Sequence, residues 1–461
     1  MVLNSDGRNK PFDKKIKPAE GFAPKPGLEA RAAAAKILAA VVDRKLPLDG
    51  ALDHEHGNPA YKALGESDRA LVRAILNTAL RYLPRIDVAI ASLLDSPLPE
   101  GARALHHVLA VGAAQILYLD VPDHSAVDLA VEQANQDPRN RRFAKLVNAI
   151  LRRLSREKEQ VLEETAKISP MPAWFVDRLE KAYGKEAAAA IAESQLEPAA
   201  IDLSVKSDAA GWAARLNGEV LPTGGVRLAA FDGTIPSLEG FDQGEWWVQD
   251  AAASIPAKLL GDLSGKRVID LCAAPGGKTA QLVLAGGSVI AIDQSENRLK
   301  RLRSNLDRLA LKAETLATDL VKYQPEEPFD AILLDAPCSS TGTTRRHPDV
   351  LWTKGPDDIA KLAGVQERLL RHALTLLKPG GTLVFSNCSL DPVEGEDVVR
   401  RVLADTPNVE RVPIDAARWP GLEMAISPLG EFRTTPAMLR MPATVASGLD
   451  GFYAAVLQRV A

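Results

Sequence analysis

The chain has 461 residues, 46% hydrophobic and 25% charged, with 56 basic against 60 acidic side chains and a net charge of −4. This composition excludes collagen-like, disordered and disulfide-scaffold classes, and no apolar run reaches the roughly 18 residues that a bilayer span needs. A cytoplasmic protein of about three domains without a membrane partner is expected, and any nucleic-acid binding must come from a local basic face.

Residues 1–27 carry Arg8, Lys10, Lys14, Lys15, Lys17 and Lys25 among Pro11, Pro18, Pro24 and Pro26, without apolar periodicity. They read as a flexible basic tail, either a solvated terminus or a loose RNA-contacting arm. Residues 28–165 place Ala33, Ile37, Leu38 and Val41, then Leu71, Ile75, Leu76 and Ala79, at helical spacing, with breaks near Pro59, Pro97 and Pro122. An all-helical domain is expected. At its end Arg139, Arg141, Arg142, Lys145, Arg152, Arg153, Arg156 and Lys158 stand beside a single acid, Glu157. Phe143, Leu146, Val147, Ile150 and Leu151 recur at i, i+3 and i+4, so a helix buries one side and shows a basic one. Such a side is a solvated face or an RNA contact, and the lopsided sign favours RNA.

Residues 166–240 open with Ser169-Pro170-Met171-Pro172-Ala173-Trp174 and a helical pattern to about Glu193. Short strands and turns follow from Ile201 to Leu238, giving a connecting α+β subdomain. In residues 241–461 β-branched runs alternate with amphipathic helices. Strands are predicted at Arg267–Leu271, Ser288–Ile292, Glu314–Ala317, Phe329–Leu334 and Gly381–Ser386, with helices such as Ser295–Leu309 and Pro356–Leu377 between them. That alternation predicts an α/β, doubly wound, Rossmann-like and mostly parallel sheet.

The first strand runs into the small-residue loop Cys272-Ala273-Ala274-Pro275-Gly276-Gly277-Lys278-Thr279. A phosphate loop needs glycine where Cys272 stands, and G-x-G-x-x-G is absent. The loop is therefore a structural turn or the cradle of a ligand without pyrophosphate. Asp293 closes the second strand and Asp319 the third. Acids there hold a ribose and meet an adenine amino group, or cap the helix that follows. Together with the loop they outline an S-adenosylmethionine pocket.

Cys338 lies in Asp335–Gly342 after the fourth strand, and Cys388 in Ser386–Leu390 after the fifth. Three cysteines without CxxC spacing support neither a disulfide framework nor a metal site. One cysteine beside a strand is ordinarily a small core residue. Two at consecutive strand ends on the ligand-binding edge point to thiol chemistry. Carbon 5 of a pyrimidine is too weak a nucleophile to take a methyl group unaided. A thiolate added to carbon 6 activates it, and a second thiol assists release. Lys278 or nearby arginines are expected to lower the thiol pKa.

These residues closely resemble the RsmB/Sun (Fmu) class of RNA 5-methylcytosine methyltransferases. The likeness rests on Asp270–Thr279, Asp335–Gly342 with Arg346-His347-Pro348-Asp349, Asn387-Cys388-Ser389-Leu390, Trp247-Val248-Gln249-Asp250 and Asp450-Gly451-Phe452-Tyr453-Ala454. His124–Val131 and Phe143–Asn148 resemble the NusB-type RNA-binding domain that precedes that class. The resemblance implies Cys388 as nucleophile, Cys338 as the releasing cysteine and Asp335 as the acid on the cytosine. It implies Cys272 through Lys278, Asp293 and Asp319 as the S-adenosyl-L-methionine site, with Asp335 beside the methyl donor. Small-subunit ribosomal RNA is the expected substrate, with transfer RNA or a vestigial assembly factor as alternatives, and a monomer is expected. RNA is assigned to the basic helix at 139–158, the connecting subdomain, Arg346 and a second run of Arg298, Lys300, Arg301, Arg303 and Arg308. Asn387 stands where the class usually has Thr, Gly395 where it has Asn, and Ser204-Val205-Lys206-Ser207 where an Arg and an Asn are common.

Overall fold

Alanine builds the first half. The computed structural model describes residues 25–460 except His54 and Asp232, so the expected basic tail up to Pro24 lies outside the described residues. In α1 (Leu28–Arg44), Ala30, Ala33, Ala34, Ile37, Leu38 and Val41 form a buried stripe. Alanine loses no side-chain entropy in a helix. Around α1 lie α2 (Leu48–Ala51), α3 (Pro59–Lys62), α4 (Glu66–Arg81), α5 (Leu83–Ser92), α6 (Arg103–Tyr118), α7 (Asp123–Gln136), α8 (Ala144–Arg156) and α9 (Lys158–Ala166). These helices share one hydrophobic core.

Helices α10 (Ala173–Tyr183) and α11 (Lys185–Ser194) lead to a small antiparallel sheet. Its strands β1 (Asp202–Val205), β2 (Gly218–Val220), β3 (Val226–Leu228) and β4 (Trp246–Val248) lie in the order β2-β3-β1-β4, with α12 (Ala209–Arg215) before β2. Because β4 pairs with β1, this sheet runs past the boundary expected at residue 240. At its centre Arg227 and Asp202 are both fully buried and meet through two hydrogen bonds, of 2.7 and 2.8 Å. The same pair donates to the Ala446 carbonyl and accepts from the Ala251 amide.

The second half contains α13 (Ile255–Lys258), β5 (Arg267–Leu271), α14 (Gly277–Leu284), β6 (Ser288–Asp293), α15 (Glu296–Arg308), β7 (Glu314–Ala317), β8 (Phe329–Asp335), α16 (Val350–Thr353), α17 (Pro356–Thr375), β9 (Leu377–Asn387), α18 (Glu396–Ala404), β10 (Val409–Val412), β11 (Phe432–Thr434) and β12 (Phe452–Arg459). The main sheet runs β10-β12-β9-β8-β5-β6-β7, with β11 beside β12. Strands β5 through β9 are parallel, and their apolar runs suit a sheet covered on both faces. The last three strands add an antiparallel margin. Strand order reverses at β5, which has β6 on one side and β8 on the other. A crevice opens at such a reversal, outside the carboxyl ends of the strands.

The two halves meet on the segment that follows Cys338. Trp352 of α16 packs against the helical core and donates to the Leu80 carbonyl at 3.0 Å. Asp349 accepts from the Leu48 amide at 2.9 Å, and Arg81 donates to the Arg345 carbonyl at 2.7 Å. Among the described residues no helix is long and apolar enough to cross a membrane.

Asp202→Ala leaves Arg227 charged and unpaired in the interior. A loss of about 3–5 kcal/mol is expected from the urea-unfolding midpoint. An unchanged midpoint would show that the interior tolerates Arg227 without its partner.

Candidate active site

Buried β5 delivers the loop to the crevice. Its Asp270 is sealed in the core and accepts from Thr279 Oγ at 2.6 Å, which ties the strand to the start of α14. Burial pushes the Asp270 carboxyl up to about 7. Gly276 has φ of 102°, in the left-handed region that favours glycine, and a Cβ there would meet Leu302 at 2.8 Å. The chain thus turns tightly into α14 and leaves the loop backbone open to the crevice.

Two cavities of about 510 and about 500 Å³ flank this loop. Both are lined by Cys272, Ala274 and Asp335. The first also takes in Ile292, Asp293, Asp319, Leu320, Cys338 and Cys388. The second takes in Ala273, Pro275, Gly276, Gly277, Lys278, Trp247, Asp250, Arg346 and Asp450. Asp293 accepts from the Ser295 amide at 2.9 Å and pairs with Arg298 at 3.0 Å. Asp319 accepts from the Val321 amide at 3.2 Å. Each acid therefore caps the turn after its strand and also faces the first cavity. The two readings of these acids are compatible.

Cys338 Sγ and Cys388 Sγ lie 3.4 Å apart as free thiols. The contact with Cys388 and then burial hold the Cys338 thiol well above its ordinary pKa. Burial, then the nearby carboxylates, push Cys272 to about 12, so it stays a neutral thiol. Lys278 engages a carboxylate and an aromatic ring. Its Nζ donates to Asp335 at 2.7 Å and lies 4.9 Å from the Phe452 ring centroid. Asp335 also accepts from Ser386 Oγ at 2.9 Å.

Arg346, assigned to RNA from the sequence, is held inside the protein. It donates to Asp250 at 2.7 Å and to Asp450 at 3.1 Å, and its side chain is 24% exposed. It joins the segment after β4 to the segment that opens β12. Burial, reinforced by Asp250, raises Asp450 to about 7. Gly342 and Gly451 touch backbone to backbone through a 2.8 Å hydrogen bond, where a Cβ on Gly342 would lie 2.0 Å from the Gly451 carbonyl oxygen.

The expected basic helix is a turn at Arg139, a short 3-10 segment at Arg141–Phe143, and α8. Arg139, Arg152 and Arg153 pair with Asp137, Asp128 and Glu157. Arg141, Arg142, Lys145 and Arg156 are exposed, with Arg142 stacked over Phe143. In the second basic run Arg298 goes to Asp293, Arg303 to Glu296, and Arg308 to the Phe241 and Trp246 carbonyls. Lys300 and Arg301 remain on the surface. The partners of Arg298 and Arg303 lie within seven residues of them, whereas the carbonyls that hold Arg308 are brought to it by tertiary structure.

The sequence reading missed three side chains that grip the Cys388 loop. Arg178 binds Asp391, Tyr183 donates to the Leu390 carbonyl at 2.6 Å, and Arg433 joins the Ser389 carbonyl to Glu396. They lie far along the chain from Cys388 or in unmarked segments, so no motif signalled them.

A doubly wound sheet with a nucleoside-sized cavity at its switch point, behind a helical domain, defines an RNA methyltransferase class once the comparisons are added. Residues 257–458 match the family described as 16S rRNA methyltransferase RsmB/F, and residues 28–156 match the NusB family. The chain is 36% identical to ribosomal RNA small subunit methyltransferase B of Vibrio vulnificus, over 94% of this chain and 100% of that protein. The Vibrio cholerae protein of the same name is also 36% identical, over 94% and 98%. The crystal structure of PH0851 shares the fold with a TM-score of 0.71 at 23% identity, over 94% of this chain and 99% of that one. A methyltransferase homolog protein from Pyrococcus horikoshii aligns with a TM-score of 0.52 at 30% identity, over 62% and 94%. The chain belongs to the RsmB/F family of 16S rRNA methyltransferases.

Asp270 sets a test by pH. It loses its proton near 3.8 when unfolded and near about 7 when folded. Stability from its protonated form is complete below the unfolded value and drains away as pH rises to about 7. Asp270→Asn does not titrate. Its melting temperature is expected to fall less between pH 5 and 8 than that of the wild type. Equal falls would mean that Asp270 is ionised in the fold.

Proposed function

We propose that this protein transfers a methyl group from S-adenosylmethionine to carbon 5 of a cytosine in small-subunit ribosomal RNA, with Cys388 as nucleophile and Cys338 as the releasing thiol. The observation that carries this reading is the 3.4 Å approach of the two sulfurs in a cavity shared with Asp293, Asp319 and Asp335. The donor set fits the cofactor. Asp293 is suited to ribose hydroxyls, Asp319 to an adenine amino group, and Ile292 and Leu320 to the flat apolar face of a base. When bound, S-adenosylmethionine supplies an electrophilic methyl group. The substrate assignment draws on the names of the relatives that share 36% identity.

The residues divide the work. The target base leaves its stack to reach the crevice. Asp335, held between Lys278 and Ser386, accepts from the cytosine amino group and orients the ring. The Cys388 thiolate adds to carbon 6 and places electron density on carbon 5, which takes the methyl group. The carbon 5 proton then leaves and the Cys388–carbon 6 bond breaks. Cys338, 3.4 Å from the nucleophilic sulfur, is a thiol at rest; after the adduct forms it gives its proton to solvent and, as the thiolate, takes the proton from carbon 5.

Wild type, Cys338→Ala and Cys388→Ala, incubated with S-adenosylmethionine and ribosomal RNA and then denatured, test the mechanism. A stable protein–RNA adduct is expected from Cys338→Ala and none from Cys388→Ala. Methyl transfer by Cys388→Ala at the wild-type rate would end the covalent reading.

RNA is assigned to the exposed face of Arg141, Arg142, Lys145 and Arg156. Changing Arg142, Lys145 and Arg156 to Gln should weaken RNA binding at every sequence and reduce the salt slope by about 2–3. A slope equal to that of the wild type would move the RNA to another face.

A further inference from the structure

Glu394 is an acid with no exposure to solvent, and it lines neither cavity. Removing a carboxylate from water is unfavourable unless donors answer it. Here they do. Its Oε1 accepts from the Ser339 amide at 2.8 Å and from Gln366 Nε2 at 3.1 Å. Its Oε2 accepts from the hydroxyls of Ser339 and Ser389, the latter at 2.6 Å. Ser339 follows Cys338 and Ser389 follows Cys388. The Glu394 carbonyl accepts from Asn387 Nδ2 at 2.6 Å, and Asn387 Oδ1 accepts from the Ser389 amide at 2.9 Å. Asn387 thus uses both ends of an amide that threonine, usual at this place in the resembling class, does not have.

The strand ladder ends where this network begins. The last paired residues of β8 and β9 are Asp335 and Ser386, and both thiols lie beyond them. The loops are then joined by Gly342 to the Cys388 carbonyl, by Thr341 to the Leu390 amide, and by Glu394. Glu394 is the charged member of this set. Every group facing its side-chain oxygens donates in this arrangement; the Ser339 amide and Gln366 Nε2 can only donate, whereas an amide NH₂ in place of Oε2 would force the Ser339 and Ser389 hydroxyls to reverse and accept, and would replace charge-assisted bonds by neutral ones.

We propose that Glu394 is a positioning residue for the methyl-transfer reaction, a buried carboxylate that holds the residues after Cys338 and Cys388 together and so sets the approach of the two thiols. This rests on the two-thiol reading above. Glu394 touches no reacting atom and acts through Ser339, Ser389 and Asn387.

The test measures methyl transfer from labelled S-adenosylmethionine to ribosomal RNA with the full chain. Glu394→Gln is expected to lower kcat by about tenfold or more, since small misplacements of reacting groups have effects of that order. KM for both substrates should stay within about twofold, because Glu394 itself lines neither cavity. Ser339→Ala and Ser389→Ala each remove one hydroxyl while the Ser339 amide, Gln366 and the other hydroxyl still answer the carboxylate, and they keep the test open if Glu394→Gln fails to fold. Each should lower kcat with KM unchanged, and adding both to Glu394→Gln should slow it no further. A wild-type kcat in Glu394→Gln, or in both serine variants, overturns the proposal, as does a rise in KM at constant kcat. Cys388→Ala runs in parallel. If it is inactive while Glu394→Gln is normal, the positioning proposal alone fails. If it is fully active, the two-thiol reading fails and takes this proposal with it.

Discussion

Parallel pairing of β8 with β9 is the constraint on which the site depends. The register sets Asp335 opposite Ser386. Both strands run the same way and end at the same edge, so a residue three places beyond one meets a residue two places beyond the other. A slip of one residue would turn the side chains of one strand to the opposite face. Asp335 would then lose the Ser386 hydroxyl, and the sulfurs would part. Packing sets this register. Ile332, Leu334, Leu383 and Phe385 share one core cluster, while Leu333 and Val384 lie in another on the opposite face.

Charge, unusually, does much of the remaining assembly. Arg227 with Asp202, Arg346 with Asp250 and Asp450, Lys278 with Asp335, and Arg433 with Glu396 are buried or half-buried. Such pairs contribute little net stability, because desolvation opposes their attraction. They are directional, however, and they join segments that hydrophobic packing alone would leave free to slide. Arg346 brings together Asp250, from the end of the small sheet, and Asp450, from the start of β12. The small sheet thereby contributes Trp247 and Val248 to the wall of the second cavity, beside the loop after β5.

The helical half is anchored by the same economy. The segment from Arg345 to Thr353 leaves the Cys338 loop and enters the NusB-like core through Trp352, with Asp349 and the Arg345 carbonyl fixed by Leu48 and Arg81. The proposed RNA face on α8 belongs to that same core, through Val147, Ile150, Leu151 and Leu154. One continuous packed body therefore links the basic surface to the thiol loop.

Periodicity and loop chemistry made the fold readable from the sequence. β5, β7 and the start of α17 fall where alternating apolar runs and a proline placed them, because local hydrophobic pattern dictates secondary structure. The cysteines, Asp293, Asp319 and Asp335 were legible as strand-end residues for the same reason. Partnership was not legible. Arg346 and Arg308 look like surface cations in the sequence, yet each finds its acceptor on a distant segment. Lys278 looked like a neighbour for the thiols and is engaged by Asp335 instead. Glu394 drew no notice in the sequence and is wholly buried. Backbone conformation answers to neighbours a few residues away, whereas a charged side chain answers to whatever the completed fold brings within 3 Å of it. The sequence therefore determined the elements and the residues at the strand ends, and tertiary structure alone decided which charged groups face the cavities and which hold the protein together.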